Sequence, residues 1–208
     1  MSITFPLSMP AAPSPRNVTL GANNIVSLAV SPFTGSSQIQ EWQGEWWEAE
    51  IALPSMLRTV AEPWIAFLTA LRGQSGSFLM GDPARKTPYG IATGTPLCNG
   101  IQAGGSKTLV TDGWTANKTG ILKAGDYLQI GTGTTQRLYK NLTDANSDSG
   151  GNATLDIFPR LRPEGVTDNE AIVTASPKGV FRLAGNWRQW QQDFTRAVTI
   201  SFKAVENL

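Results

Sequence analysis

Glu45-Trp-Trp-Glu-Ala-Glu-Ile-Ala-Leu53 is followed, after Pro54-Ser55, by Met56-Leu-Arg-Thr-Val-Ala-Glu-Pro-Trp-Ile-Ala-Phe-Leu-Thr-Ala-Leu-Arg-Gly73. In the first stretch Trp47, Ala49, Ile51 and Leu53 fall on one side, and Trp46, Glu48 and Glu50 on the other. That is the alternation of an antiparallel strand with one buried face. Beyond Pro54 the period changes: Leu57, Val60, Ala61, Trp64, Ile65, Leu68 and Leu71 recur at helical spacing. Gly73 stands just after Arg72, where a C-terminal cap belongs. The spacing predicts a helix over about 56–72, with Pro63 either kinking it or opening its main part.

Outward from this pair the chain reads as strands. Pro6, Pro10, Pro13 and Pro15 give the N-terminus an extended character. Asn24–Ser31 reads as a strand and Pro32–Ser37 as a turn. Ser77–Met80 is a short strand and Gly81-Asp-Pro83 another turn. From about Thr87 to Pro177 the composition shifts to Gly, Thr, Asn and Asp. Short strands are expected there at Lys107–Thr111, Gly120–Leu122, Tyr127–Gly131, Gln136–Leu142 and Ala153–Phe158, with Asp144–Asn152 as a hairpin loop. Five such strands suit a small β-barrel like the oligonucleotide-binding fold, an architecture that assigns no function by itself.

Val180–Leu183, Trp187–Gln191 and Ala197–Val205 return to longer strands, and Val198, Ile200, Phe202 and Ala204 share a face. The expected fold is therefore mainly β: a β-sandwich-like domain with one α-helix from residues 1–92 and 178–208, and a small OB-like barrel inserted over 93–177.

The 208 residues can bury a real core. With 16% charged residues, a net charge of +1 and no run of Lys or Arg, the chain lacks the footprint expected for nucleic acid. No apolar stretch approaches the roughly 20 residues of a membrane helix. The first residues, Met1-Ser-Ile-Thr-Phe-Pro6, do not read as a secretion signal. Asn-X-Thr triplets, as at Asn141-Leu-Thr143, are then chance matches rather than glycosylation sites.

Histidine is absent and Cys98 is the sole cysteine. This removes His-based nucleophile systems, His general bases and the usual His or thiolate metal sites. Neither a metal nor a cofactor is expected. Paired carboxylates could still serve a glycosidase, and Glu41, Glu45, Glu48 and Glu50 lie close to Trp42, Trp46 and Trp47. The alternation instead makes Glu48 and Glu50 the solvent face of a strand. Asp144-Ala-Asn146-Ser-Asp148 begins like a calcium loop, but Ser149 stands where Gly is needed and Leu155 where a bidentate Glu is needed. Gly131-Thr-Gly133 lacks the further Gly and the Lys-Ser/Thr of phosphate loops.

Tryptophan is abundant. Trp47 and Trp64 fit the core, Trp46, Trp187 and Trp190 are candidates for an interface, and Trp114 is a candidate ligand contact of the inserted domain. The chain is read as a structural protein, not an enzyme.

The ordered set Leu53-Pro54, Trp64-Ile-Ala-Phe-Leu-Thr-Ala-Leu-Arg-Gly73, Gly76-Ser-Phe-Leu-Met-Gly-Asp-Pro83, Leu122-Lys-Ala-Gly-Asp-Tyr-Leu-Gln-Ile-Gly131, Gln136-Arg-Leu-Tyr-Lys140 and Gly151-Asn-Ala-Thr-Leu-Asp-Ile-Phe-Pro159 resembles the distal tail proteins of siphophages and related prophages. The resemblance runs from about Asn17 to the C-terminus. It implies a homo-hexameric ring in the virion, assembled in the host cytoplasm, that joins the tail tube to the tail tip or baseplate. The implied partners are the tail tube protein, the tape-measure protein, the tail-tip hub and receptor-binding proteins. Two alternatives stay open: a carbohydrate-binding adhesion module, or another ring-forming tail protein such as a tube or terminator subunit.

Overall fold

The computed structural model describes residues 3–208. Five strands and one helix precede the insertion: β1 (Leu7–Ser8), β2 (Asn17–Val30), β3 (Ser37–Ala52), β4 (Met56–Leu57), α1 (Arg58–Ala70) and β5 (Ser77–Met80). Six strands follow: β6 (Gly94–Cys98), β7 (Thr108–Trp114), β8 (Tyr127–Ile130), β9 (Arg137–Asn141), β10 (Ala153–Phe158) and β11 (Ile172–Val173). The chain ends with β12 (Gly179–Leu183), β13 (Trp190–Gln192) and β14 (Ala197–Glu206).

The fold is mainly β with one helix, and the strands form two sheets. The larger runs β1-β5-β12-β14-β3-β2, with β4 and β13 also pairing along β14. The smaller runs β11-β8-β9-β10-β7-β6. Its ends nearly meet: Leu97 bridges Ala171, and Cys98 and Glu170 are joined by an N–H to carbonyl bond of 2.9 Å. The result is a nearly closed barrel. The chain leaves the larger sheet at Met80 and returns at Gly179, and these two residues pair across β5 and β12.

The larger sheet buries the face predicted by the alternation. Trp47, Ala49 and Ile51 of β3 are buried, while Glu48 and Glu50 are exposed. α1 lays Ala61, Trp64, Ile65, Phe67 and Leu68 against that face. Trp64, Phe67 and Phe78 stack edge to face, with ring centroids 5.9 and 5.5 Å apart. α1 is two residues shorter at each end than expected. Met56 and Leu57 pair with Val198 and Ala197 as β4 instead of opening the helix. Pro63 lies inside α1 without ending it. Thr59, whose carbonyl loses a partner there, is exposed and can be hydrated.

Three strand expectations change. Gly120–Leu122 is not a strand: Leu122 makes one isolated bridge to Ala145, and Asp126 turns the chain back at once by accepting the Lys123 N–H at 2.8 Å. Trp187–Gln191 shrinks to Trp190–Gln192, with Trp187 in the loop before it. β2 and β3 are much longer than read, forming one hairpin from Asn17 to Ala52.

Trp47 joins the two sheets. Its indole N–H donates to the Leu138 carbonyl on β9 at 2.9 Å, and its ring meets Phe158 edge-on at 4.9 Å. Trp64 is as deeply buried, but its indole N–H has no partner among the described residues. Both Trp→Phe changes remove packed ring atoms, but only Trp47→Phe orphans a buried carbonyl. We therefore expect Trp47→Phe to cost about 1–3 kcal/mol more than Trp64→Phe, read as the difference in urea midpoints at unchanged m-value.

Candidate assembly surface

The β2–β3 hairpin has two regimes along its length. Near its root, from Glu45 onward, β3 alternates buried and exposed residues. Beyond it, every residue from Ser37 to Gln43 and from Asn24 to Val30 is exposed. The change falls at a bulge, where Asn24 pairs with Glu45 but Val26 pairs with Glu41. Bulges bend a ribbon and strengthen its twist. Gly44 sits in the bulge with the Ile25 side chain folded over it, Cδ1 lying 2.6 Å from where a Cβ would stand. The tip closes through the Ser31 N–H to the Ser36 carbonyl at 2.9 Å, with Gly35 in the left-handed conformation.

This distal hairpin carries Ile25, Val26, Leu28, Val30, Phe33, Ile39 and Trp42 into solvent, and Phe33 at the tip is 94% exposed. No charged residue occurs from Asn17 to Gln40. The outer edge of β2 is the edge of the whole sheet. Natural edge strands are normally protected by charge, proline or short length, and a lone two-stranded ribbon is marginal in water. β2 has none of those protections over its exposed half.

The root of the hairpin is clamped to the barrel. Glu41 accepts from Lys107 at 2.8 Å and from Arg160 at 2.5 Å. Glu45, buried, accepts the Arg160 backbone N–H at 2.7 Å and its side chain at 3.1 Å. Deeper in, Arg162 pairs with buried Glu206, which also accepts the Trp47 backbone N–H at 3.1 Å. Burial raises the Glu206 carboxyl above its ordinary range, against the opposing pull of Arg162. The Lys107 and Arg160 bonds hold the Glu41 carboxyl below its ordinary range.

The predicted interface tryptophans separate. Trp46 is half-buried, its indole N–H held by Glu48 at 3.1 Å. Trp187 is 83% exposed in the loop before β13. Trp190, on β13, is partly exposed with the Arg58 guanidinium 5.9 Å from its ring centre. Leu57, on β4, and Phe194, just after β13, are also exposed. They form the end of the sheet opposite the hairpin tip, since β4 and β13 flank the start of β14 while β3 runs away from it.

Trp114 is not placed as a ligand contact. It is 4% exposed, inside the barrel core, with its indole N–H on Thr111 Oγ1 at 2.8 Å. Gly113, at φ +72°, breaks the alternation of β7 and turns Trp114 inward with Leu109 and Thr111. Reading residue types missed the hairpin residues Phe33 and Trp42; the uncharged run from Asn17 to Gln40 was the available signal.

The other groups with chemical potential are occupied. Asp148 accepts the Gly150 and Asn152 N–H groups at 2.7 and 2.8 Å, and Asp144 accepts from Lys123 and Ala124. The loop with a calcium-like start is thus a self-bonded turn. Cys98 is buried, and burial pushes its thiol up to about 12, far from the reactive thiolate. Among the described residues no group of His, Cys, Asp and Glu could hold a metal ion, and no helix is long and apolar enough to cross a membrane.

Neither a protein-family model nor a curated protein matches the chain.

The Glu41 clamp carries a pH signature. Its carboxyl is depressed in the fold, so its contribution is present above the ordinary value of 4.5 and is lost as pH falls through the folded value. Glu41→Gln should lower stability slightly at neutral pH and flatten the acid limb below pH 4.5, the variant and wild type converging at low pH, as read from urea midpoints across pH.

Proposed function

We propose that this chain is a non-enzymatic structural subunit of a bacteriophage virion, one of six copies in a ring at the distal end of a siphophage tail. The observation that carries an assembly role is the distal part of the β2–β3 hairpin, free of charge from Asn24 to Gln40, rich in exposed apolar side chains and open along its outer edge. Such an arm is marginal in a free monomer and becomes stable when another surface covers it. An assembly subunit would gain from keeping it, whereas a soluble monomeric enzyme would suffer aggregation. The occupied carboxylates and the buried, protonated Cys98 fit the same role.

The specific assignment comes from the ordered motifs of the chain. Six copies would close head to tail, with the larger sheets forming the ring and the barrels hanging from it. The ring would face the tail tube protein and tape-measure protein on one side, and the tail-tip hub or receptor-binding proteins on the other. It would assemble in the host cytoplasm and end in the virion. A sugar-binding role loses its named residue, because Trp114 packs in the barrel interior.

Multi-angle light scattering of the purified protein should give about six times the monomer mass, and negative-stain images should show rings. Labelled antibody should mark the tail tip of intact particles. A strict monomer, with no label on tails, would sink the proposal.

A further inference from the structure

The seam that closes the barrel holds the one Asn-Gly pair of the chain, Asn99-Gly100. Cys98, next to it, bonds across the seam twice: its N–H goes to the Glu170 carbonyl and its carbonyl accepts the Asn169 N–H, both at 2.9 Å. Asn99 is held through its backbone. Its N–H donates to the Val110 carbonyl at 3.0 Å, and its own carbonyl accepts from Gln102 Nε2 at 3.2 Å. Its exposed side-chain amide makes no hydrogen bond among the described residues, whereas those of Asn24, Asn146, Asn152, Asn169 and Asn186 are each held by one. The Gly100 N–H donates to Asp168 Oδ1 at 2.8 Å, and Asp168 Oδ2 accepts from Asn169 Nδ2 at 2.8 Å. Gly100 has a φ of +74° and nothing within 4 Å of where a Cβ would stand.

We infer that Asn99 is a self-modifying residue, converted to an aspartyl or isoaspartyl residue by the peptide nitrogen of Gly100 with Asp168 as the base. A peptide nitrogen becomes a nucleophile only as its proton leaves, and a carboxylate already bonded to that N–H is placed to take it. The N–H lies in the peptide plane, so its bond to Asp168 leaves both faces of the nitrogen clear. Glycine adds no Cβ to shield them and adopts the left-handed conformation at no steric cost. The bond that forms joins Gly100 N to Asn99 Cγ and closes a cyclic imide. The bond that breaks is Cγ–Nδ2, and Nδ2 leaves as ammonia with the proton that Asp168 took up. Water then opens the imide at either of its carbonyls. One opening gives an aspartyl residue, the other an isoaspartyl residue whose main chain runs through Cβ and Cγ. The net change is water in and ammonia out, with no redox step.

The product acts on the seam. An isoaspartyl link lengthens the main chain by a carbon between Cys98 and Gly100, and either product puts a new carboxylate near Asp168. Like charges at close range repel, and the longer chain draws the Gly100 N–H off its acceptor. The seam itself is short: the Leu97–Ala171 bridge, the Cys98 bonds and the pairing of Gln102 with Val166. Conversion therefore loosens the closure of the barrel without cutting the chain.

The test follows the full-length protein kept folded at mildly alkaline pH, sampled over days and digested with trypsin. The peptide Thr87–Lys107 carries Asn99 as its one Asn. It should gain the mass of an Asn-to-Asp conversion and separate into aspartyl and isoaspartyl forms, and should do so faster in the folded protein than in the same chain held unfolded in guanidinium chloride. Asp168→Asn keeps an acceptor for the Gly100 N–H but no base, and should slow conversion by about tenfold or more. Asn99→Gln should stay unconverted and keep the wild-type urea midpoint. Converted protein, separated by its extra negative charge, should show a lower urea midpoint and faster amide exchange at Cys98 and Asn169.

A wild type that stays unconverted overturns the site. Conversion of Asp168→Asn at the wild-type rate or above, or conversion that is faster in the unfolded chain, overturns the part given to Asp168. An unchanged midpoint and unchanged exchange in the converted protein overturn the effect on the seam.

Discussion

The indole N–H of Trp47, donated to the Leu138 carbonyl, is the bond on which the arrangement of this chain depends. Trp47 lies where the core of the larger sheet meets the barrel, with Phe158 and Tyr127 against its ring. Its backbone N–H goes to Glu206, and Glu206 is neutralised by Arg162. Buried polar groups are costly when left unsatisfied and rigid when each finds a partner. A slip of one residue in β3 would turn Trp47 to solvent and pull Glu45 away from Arg160. Register in this strand therefore sets both the core of the first sheet and the seat of the barrel.

The same strand, followed the other way, leaves all of this behind. At Gly44 the bulge turns the ribbon outward, and beyond Glu41 nothing in the molecule covers it. The Glu41 and Glu45 clamps to Lys107 and Arg160 fix the direction in which it departs. The ribbon is thus anchored by charge at its root and free of charge toward its tip. That gradient suits an arm whose outer part is covered only when a further surface arrives.

Further polar side chains tie the barrel together. Asp126 is wholly buried and receives Arg85, together with the backbone N–H groups of Tyr89, Gly90 and Lys123, at 2.7–2.9 Å. It ties the segment entering the barrel to the barrel itself. Cys98 helps close the barrel through its backbone, and its thiol stays in the core.

By itself the sequence determined the half of β3 that alternates, the helix that follows, the apolar face of β14 and the strand-rich middle, because each of these has one buried side that selects residue types at a fixed period. It did not reveal the distal hairpin as a strand pair. Ser37–Gln43 is exposed on every face, so no period was selected there. Nor did it place Trp114, whose direction depends on the left-handed backbone of Gly113. Short, Gly- and Pro-containing β6 and two-residue β11 were equally hidden, since their place comes from barrel closure rather than local preference. Only the tertiary structure decided which tryptophan is covered and which is left open, because burial is a property of what packs against a side chain and not of the side chain alone.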